Sequence, residues 1–459
     1  MWTHQEEGVE WCLHRRSCLL WMGMGCGKTR ATLEVVRRRG HKLVLVCCPK
    51  AVVPAWGKQA AIWSSGLRVL LLTKGTAAEK GKVIEAAVAD NSPLLVVVNY
   101  ETAWRIRQIE KMRWDCLVYD ECHRLKSPSG ATSRWAARMG KRNPEAQRIG
   151  LSGTLLAQGP MDAYGVWRAV ESPECETFGQ TFTGFRREYA VTNPVIPQMV
   201  IGFRNMQKFG TLVAQTTFQR RSEDVLDLPD IMHEQIDVQL SPAEARVYRE
   251  IEREFCAVVE SGAVTPANVL VQLIRLLEVC GGSVHYDGER QARTIGDRAS
   301  KAAAMAELLE DMPADEPVVI FHNYSADGDA AAEECRKLGR PVSRLNGSAN
   351  ELADWQDGKT NALVVNTASG GVGIDLTRAS YGIFYSCGHS LSLFLQAIAR
   401  LHRPGQTKTT HFYNLVAVDG DRQTADGRVY EALEKRQEVI DAIITSYGKP
   451  QSGRAHANA

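Results

Sequence analysis

The stretch "WMGMGCGKTR", residues 21–30, sets three glycines ahead of a lysine and a threonine. It follows the short apolar run "SCLLWM" (17–22) and opens "KTRATLEVVRRRG" (28–40), whose apolar spacing is helical and whose closing arginines and Gly40 are stop signals. The run "KLVLVCC" (42–48) comes next and reads as a buried strand. A strand, a glycine-rich turn, a helix and a second strand form the context in which such a turn cradles phosphate. Backbone N–H groups of Gly23, Met24, Gly25, Cys26 and Gly27 then face phosphate oxygens, helped by the positive end of the helix. Lys28 reaches the β- and γ-phosphates of ATP, and the Thr29 hydroxyl binds magnesium. The strict pattern G-x-x-x-x-G-K-T lacks its first glycine, because Met22 stands there; G-x-G-K-T survives from Gly25 to Thr29. Taken alone, the same residues also read as an ordinary glycine turn.

Working outward, "PLLVVVN" (93–99), "CLVYDE" (116–121) and "RIGLSGT" (148–154) read as further strands between helical patterns. This alternation predicts a parallel sheet covered by helices. Within it, "LVYDECH" (117–123) ends an apolar strand in two acids, at the carboxyl edge where open α/β sheets bind ligands. Asp120 can hold the magnesium, directly or through water. Glu121 can orient or deprotonate the attacking water. A solvated loop opening after the strand is the plain alternative, and the phosphate loop about 90 residues upstream argues against it.

From about 160 to 299 the pattern is mostly helical, as in "SPAEARVYREIEREFCAVVE" (241–260) and "VLVQLIRLLEVC" (269–280). Alternation then resumes with the strand-like "PVVIFHNY" (317–324), "ALVVNT" (362–367), "YGIFYSC" (381–387) and "THFYNLVAV" (410–418). The predicted organisation is therefore an N-terminal ATP-binding domain over 1–225 with a helical insertion at its end. A linker and helical segment over 226–299, a second α/β domain over 300–447 and a loose polar tail over 448–459 follow it.

Bulk properties narrow the classes. The 459 residues suit two or three domains, and 44% apolar with 24% charged residues is ordinary for a soluble globular protein. With 55 Lys and Arg against 53 Asp and Glu, a nucleic-acid surface has to be a local basic patch. Twelve cysteines without a Cys-x-x-Cys pair or a His/Cys cluster argue for reduced buried thiols and against zinc. No apolar run reaches the ~20 residues of a membrane helix, and the start "MWTHQEEGVEW" is no signal peptide. A cytoplasmic location without membrane partners is expected.

At this point the residues resemble a family. "DECH" (120–123) resembles the acid box of superfamily 2 helicases, and "DECHRLKSP" (120–128) is closer to the Swi/Snf-related branch of double-stranded DNA translocases. The resemblance runs in order along most of the chain. "HQEEGVEWCL" (4–13) resembles the adenine-reading segment, with Gln5 in the reading position. "CCPKAVVPAW" (47–56), "VVNYETA" (97–103) and "LSGTLLAQ" (151–158) resemble motifs of the first domain. "VIFHNYS" (319–325), "RLNGS" (344–348), "NTASGGVGIDLTRA" (366–379) and "QAIARLHRPGQT" (396–407) resemble motifs of the second. Departures stand at Leu155, at Gln158 and at "GHS" (388–390), where the family usually carries proline, asparagine and Trp-Asn-Pro.

The resemblance implies two RecA-like parallel-sheet domains in tandem, with a central cleft and helical insertions between them. It implies a DNA-dependent ATP hydrolase using ATP and Mg, working on DNA, double-stranded in this branch. His123 is implied to link the acid box to Ser152 and Thr154. Arg400 and Arg403, three apart on an expected helix and so on one face, would act as fingers on phosphate oxygens. Gln396, one turn earlier, would help hold the site. Candidate nucleic-acid grips are Lys50, Asn99 and Tyr100 in the first domain, and Asn346, Thr367, Ser369, Gly370 and Gly371 in the second. Basic pairs and runs at Arg37–Arg39, Lys141–Arg142, Arg186–Arg187 and Arg220–Arg221 could widen that surface, or merely complement helix ends. The lack of accessory domains suggests a near-minimal motor of a bacterium or bacterial virus. Competing readings are a strand-separating helicase, a nucleotide-gated DNA-binding module that turns over little and recruits a nuclease or replication factor, and a phosphate-loop enzyme without nucleic acid.

Overall fold

The computed structural model describes residues 1–447 apart from 65, 90, 158, 172–175, 195–199, 261–265, 286–291 and 371–373, and the side chains of 257–260, 266–270, 370 and 438–447 are likewise left undescribed. Gln158, Gly371 and the tail 448–459 thus lie outside the described residues. The chain forms two compact units, the first made of Met1–Leu226 with the stretch from Arg436 onward, the second of Asp227–Lys435.

In the first unit, strands β1 (Ser17–Met22), β2 (Leu43–Cys48), β3 (Arg68–Leu71), β4 (Leu94–Asn99), β5 (Cys116–Asp120) and β6 (Gln147–Ser152) are followed by a short antiparallel pair, β7 (Ala190–Thr192) and β8 (Val200–Phe203), and by β9 (Thr217–Arg220). Seven of them make one sheet in the order β3-β4-β2-β5-β6-β1-β9, with every pairing parallel. Central strands covered on both faces read as unbroken apolar runs, and each residue of β4 and β5 is indeed buried. Leu20, Val46, Val97, Val118 and Leu151 share one core with Val35 and Trp56 from helices α2 (Lys28–Arg39) and α3 (Val53–Trp63). Register does the rest. Trp21 lies opposite Ser152 and Asp120 opposite Leu151, so the ends of β1, β5 and β6 share one carboxyl edge.

The second unit repeats the plan. Strands β10 (Ile231–Gln239), β13 (Val318–His322), β14 (Val342–Leu345), β15 (Ala362–Asn366), β16 (Tyr381–Phe384) and β17 (Thr410–Asp419) pair in parallel in the order β10-β17-β16-β13-β15-β14, and β18 (Arg422–Gln423) pairs antiparallel with β17. A small antiparallel pair, β11 (Ser283–Val284) and β12 (Arg293–Thr294), stands apart. Each unit thus holds one seven-stranded sheet, wholly parallel in the first and parallel but for β18 in the second.

The region expected to be mostly helical does hold helices Pro242–Glu260 and Pro266–Cys280. It also holds β7 to β12, which the periodicity did not announce. β9 is four residues at a sheet edge, and β10 is an edge strand with mostly exposed residues, "IMHEQIDVQ". Such strands need no continuous apolar run. Within the stretch 226–299, β10 is thus part of the second sheet.

Candidate functional site

The phosphate loop runs from the end of β1 into α2. Gly25 and Gly27 take φ of 80° and 76°, backbone that only glycine adopts without strain. A Cβ on Gly27 would fall 2.1 Å from Gln5 Nε2, so any other residue there has to push the Gln5 amide aside. Gln5 belongs to α1 (Thr3–Leu13), is buried, and donates from Nε2 to the Cys26 carbonyl at 3.2 Å. His4 Nε2 reaches the same carbonyl at 3.0 Å. Lys28 Nζ donates to the carbonyls of Met22 and Gly23 at 3.0 and 3.1 Å, and Thr29 is the next residue of α2.

Asp120 and Glu121 stand at the end of β5. Asp120 is buried; its Oδ2 accepts from Trp56 Nε1 at 2.7 Å and its Oδ1 from the Glu121 amide at 3.0 Å. Burial, reinforced by the Glu121 charge, pushes its carboxyl up to about 6, against the pull of Trp56 and Lys28. Glu121 takes φ 48°, ψ 51°, a left-handed backbone unusual for a glutamate. The Tyr100 hydroxyl donates to the Asp120 carbonyl at 2.8 Å and so steadies the peptide entering that strained residue. His123 Nδ1 lies 3.2 Å from Glu121 Oε2 and 3.1 Å from Ser152 Oγ, while Ser152 Oγ accepts from the Thr154 amide at 3.1 Å. Gly153 packs beside Met24 of the phosphate loop. The loop, the acid pair and residues 152–154 therefore form one connected group. Two adjacent acids beside a glycine cradle are a donor set that suits a hard divalent cation such as magnesium.

Several expected residues take other places. Tyr100 is buried with its hydroxyl donating to the Asp120 carbonyl, so its side chain supports the acid pair. Thr367 is likewise buried, donating to the His322 carbonyl at 3.0 Å, and so is Asn99, donating to Glu101 Oε2 at 2.9 Å. Asn346 Oδ1 accepts from the Ser348 and Ala349 amides and shapes its own loop. Lys50 is exposed on the short turn Lys50–Val52 after β2. Ser369 and Gly370 sit in the short helix Thr367–Gly370 after β15. Of the basic clusters, Arg37 and Arg38 are held by Glu34, Glu6 and Glu10, Arg220 by Glu7 and Arg221 by Glu223.

The arginines of the second unit are corrected too. The helix Leu391–Leu401, capped by Ser390, includes Gln396 and Arg400 but ends before Arg403. Pro404 disfavours helix at the preceding residue, and Gly405 takes φ 107°. Arg403 is thus in a turn, donating to the Ile374 carbonyl at 3.1 Å. Both arginines still act on Asp375: burial pushes its carboxyl up, but the Thr377 amide and hydroxyl with the Arg403 and Arg400 charges hold it below the ordinary range. Gln396 is buried and donates to Ser392 Oγ at 3.4 Å. The departure at 388–390 has a local use, since Ser390 Oγ accepts from the Leu393 amide.

Sequence reasoning missed Trp56 as the partner of Asp120. The tryptophan in "PAW" (54–56) carried no distance to an acid lying far along the chain. Among the described residues no group of three or more His, Cys, Asp and Glu side chains could hold a metal by itself, and no helix is long and apolar enough to cross a membrane.

Fold and site together define a two-sheet protein of the phosphate-loop, nucleotide-binding class. The model of the SNF2-related domain matches residues 4–282, and that of the helicase conserved C-terminal domain matches residues 300–405. The chain belongs to the SNF2-related family, among the superfamily 2 helicase-type ATPases. It is 25% identical over 449 residues to protein p41 of Acyrthosiphon pisum secondary endosymbiont phage 1, covering 93% of this chain and 94% of that one. It is 23% identical over 470 residues to chromodomain-helicase-DNA-binding protein 1-like of Danio rerio, with 96% of this chain and 44% of the other covered. The chain thus spans less than half of that longer relative. The helicase domain of Pyrococcus furiosus Hef has the same fold, with a TM-score of 0.54 at 16% identity, covering 95% of this chain and 98% of the other.

Proposed function

We propose that this chain is an ATP-driven translocase on double-stranded DNA. The observation that carries the reading is the connected group at the edge of the first sheet, with Glu121 held beside Asp120 and tied through His123 to Ser152. Phosphoryl transfer to water needs positioning and charge neutralisation more than covalent chemistry. In this reading Gln5 reads the adenine and the loop amides with Lys28 hold the phosphates. Glu121 orients or deprotonates the attacking water. A magnesium ion held by Thr29 and Asp120 would neutralise phosphate charge. Arg400 and Arg403 supply further positive charge as the γ-phosphate leaves, and Gln396 helps hold the helix that carries Arg400. Exposed Lys50, with the backbone around Asn346 and Ser369–Gly370, is offered for sugar–phosphate contacts, which carry no sequence information. The double-stranded preference is supported by the family and by the "DECHRLKSP" segment.

ATP turnover is measured without polymer and with duplex DNA, single-stranded DNA or RNA. Duplex DNA is expected to stimulate most, and Lys28→Ala and Glu121→Gln are each expected to abolish turnover. Displacement of a third strand from a triplex then reports translocation. Equal turnover in every tube discards the motor, and tight ATP-dependent DNA binding with negligible turnover favours a nucleotide-gated binding module instead.

A further inference from the structure

We propose that residues 220–230 act as a short strap that links the phosphate loop to the arginine turn, with Ser222 and His402 as positioning residues at its two ends. At the first end, the Gly23 amide donates to the Arg220 carbonyl at 2.8 Å and Ser222 Oγ donates to the Met24 carbonyl at 2.8 Å. Cys26 Sγ lies 3.6 Å from the same hydroxyl. The approach is so close that a Cβ on Gly23 would fall 2.2 Å from Ser222 Oγ. Arg220 is fixed in turn by Glu7 at 2.6 Å, on the same helix as Gln5. Three residues of the phosphate loop thus rest on this one segment, and Val225 and Leu226 pack it against the core of the first unit.

At the other end, inside the second unit, the Pro229 carbonyl accepts from His402 Nε2 at 2.8 Å, and the Asp230 carbonyl accepts from the Thr410 amide at 2.9 Å. His402 stands between Arg400 and Arg403 in the chain. Only Asp227 and Leu228 separate Leu226 from Pro229, and Asp227 is exposed. Six residues separate the anchor at Ser222 from the anchor at Pro229, and in this proposal that short covalent path carries displacement from one end to the other. A shift of the loop on binding or losing phosphate then acts, through Ser222 and the six residues that separate it from Pro229, on the turn that carries Arg403. Hydrogen-bonded anchors at both ends and a short path between them are what distinguish a strap from an ordinary linker.

The inference rests on the roles proposed for the phosphate loop and the arginines, and the test separates the two. The full chain is assayed for ATP turnover with saturating duplex DNA as wild type, Ser222→Ala, His402→Ala, the double variant, and a chain with two glycines inserted between Asp227 and Leu228. Each single substitution is expected to lower kcat about 10-fold while KM for ATP moves less than about 3-fold, a loss typical of misplaced catalytic groups. The double variant is expected to be no worse than the poorer single one, since either cut slackens the same strap. The insertion leaves both anchors intact and is expected to reproduce the loss. Losses that multiply in the double variant, or an insertion without effect, overturn the strap while leaving the motor standing. A wild-type chain that turns over no ATP overturns both.

Discussion

Asp327 illustrates what a single buried group costs and where its effect is read. It lies in the helix Ser325–Lys337 and is fully buried. Burial, offset in part by Ser386 and Lys301, pushes its carboxyl up to about 7, whereas in an unfolded chain it titrates near 3.9. The folded state therefore binds this proton more tightly. The stability that the group contributes is complete below about pH 3.9 and is lost as pH rises through 7. Asp327→Asn removes that dependence. Its stabilising effect in urea unfolding is expected to be larger at pH 8 than at pH 5 by about 2–3 kcal/mol. An equal shift at both pH values would show that the carboxyl is ordinary. At the same scale, the places of Lys28 at the start of α2 and of Asp120 and Glu121 at the end of β5 were legible from residue type and order alone. Trp56, the Asp120 partner, and the inward-facing Tyr100 were not, because a side chain's direction follows from packing.

At the scale of elements, the junction of β1 and α2 is where local sequence and function coincide. The residues from Gly23 to Gly27 can make the turn because Gly25 and Gly27 accept positive φ, and α2 starts at Lys28 as its spacing predicts. Gly27→Ala adds a strained backbone, costing roughly 1–2 kcal/mol, and a Cβ that must displace Gln5. ATP affinity is expected to fall at least about 10-fold in a titration with a fluorescent analogue, a loss that such an energy suffices to cause. Retained affinity would mean that the Gln5 contact is dispensable. The helix Leu391–Leu401 gives the opposite lesson. Its apolar spacing announced it, yet its end before Arg403 was set by Pro404 and Gly405, and two arginines read as one helix face belong to a helix and a turn. Edge strands β9 and β10 went unread for a related reason: β9 is four residues, most of them polar, and β10 is mostly exposed, so both lack the apolar signal of a covered strand.

For the whole molecule, the proposed cycle draws on residues of both units. Arg403→Ala is expected to lower DNA-stimulated turnover about 1000-fold or more, the range for arginine fingers of related nucleotidases. ATP binding by the loop should change less than about 3-fold, because the loop, Lys28 and Gln5 belong to the first unit. Loss of ATP binding with turnover per bound nucleotide unchanged would remove Arg403 from that role. The strap residues Ser222 and His402 belong to this scale as well, since each has meaning only through the covalent path between the units.

The order of motifs, the alternation of apolar runs and the chemistry of lysine, aspartate and glutamate were enough to establish two parallel α/β units, a phosphate loop and an acid pair, because these depend on local periodicity and residue type. Packing alone decided that Trp56 and Tyr100 hold Asp120, that Glu121 sits in a left-handed conformation, and that Ser222 rests on the loop. Those contacts join residues distant in the chain, and their distances are fixed only when the sheet sets its register and the core closes.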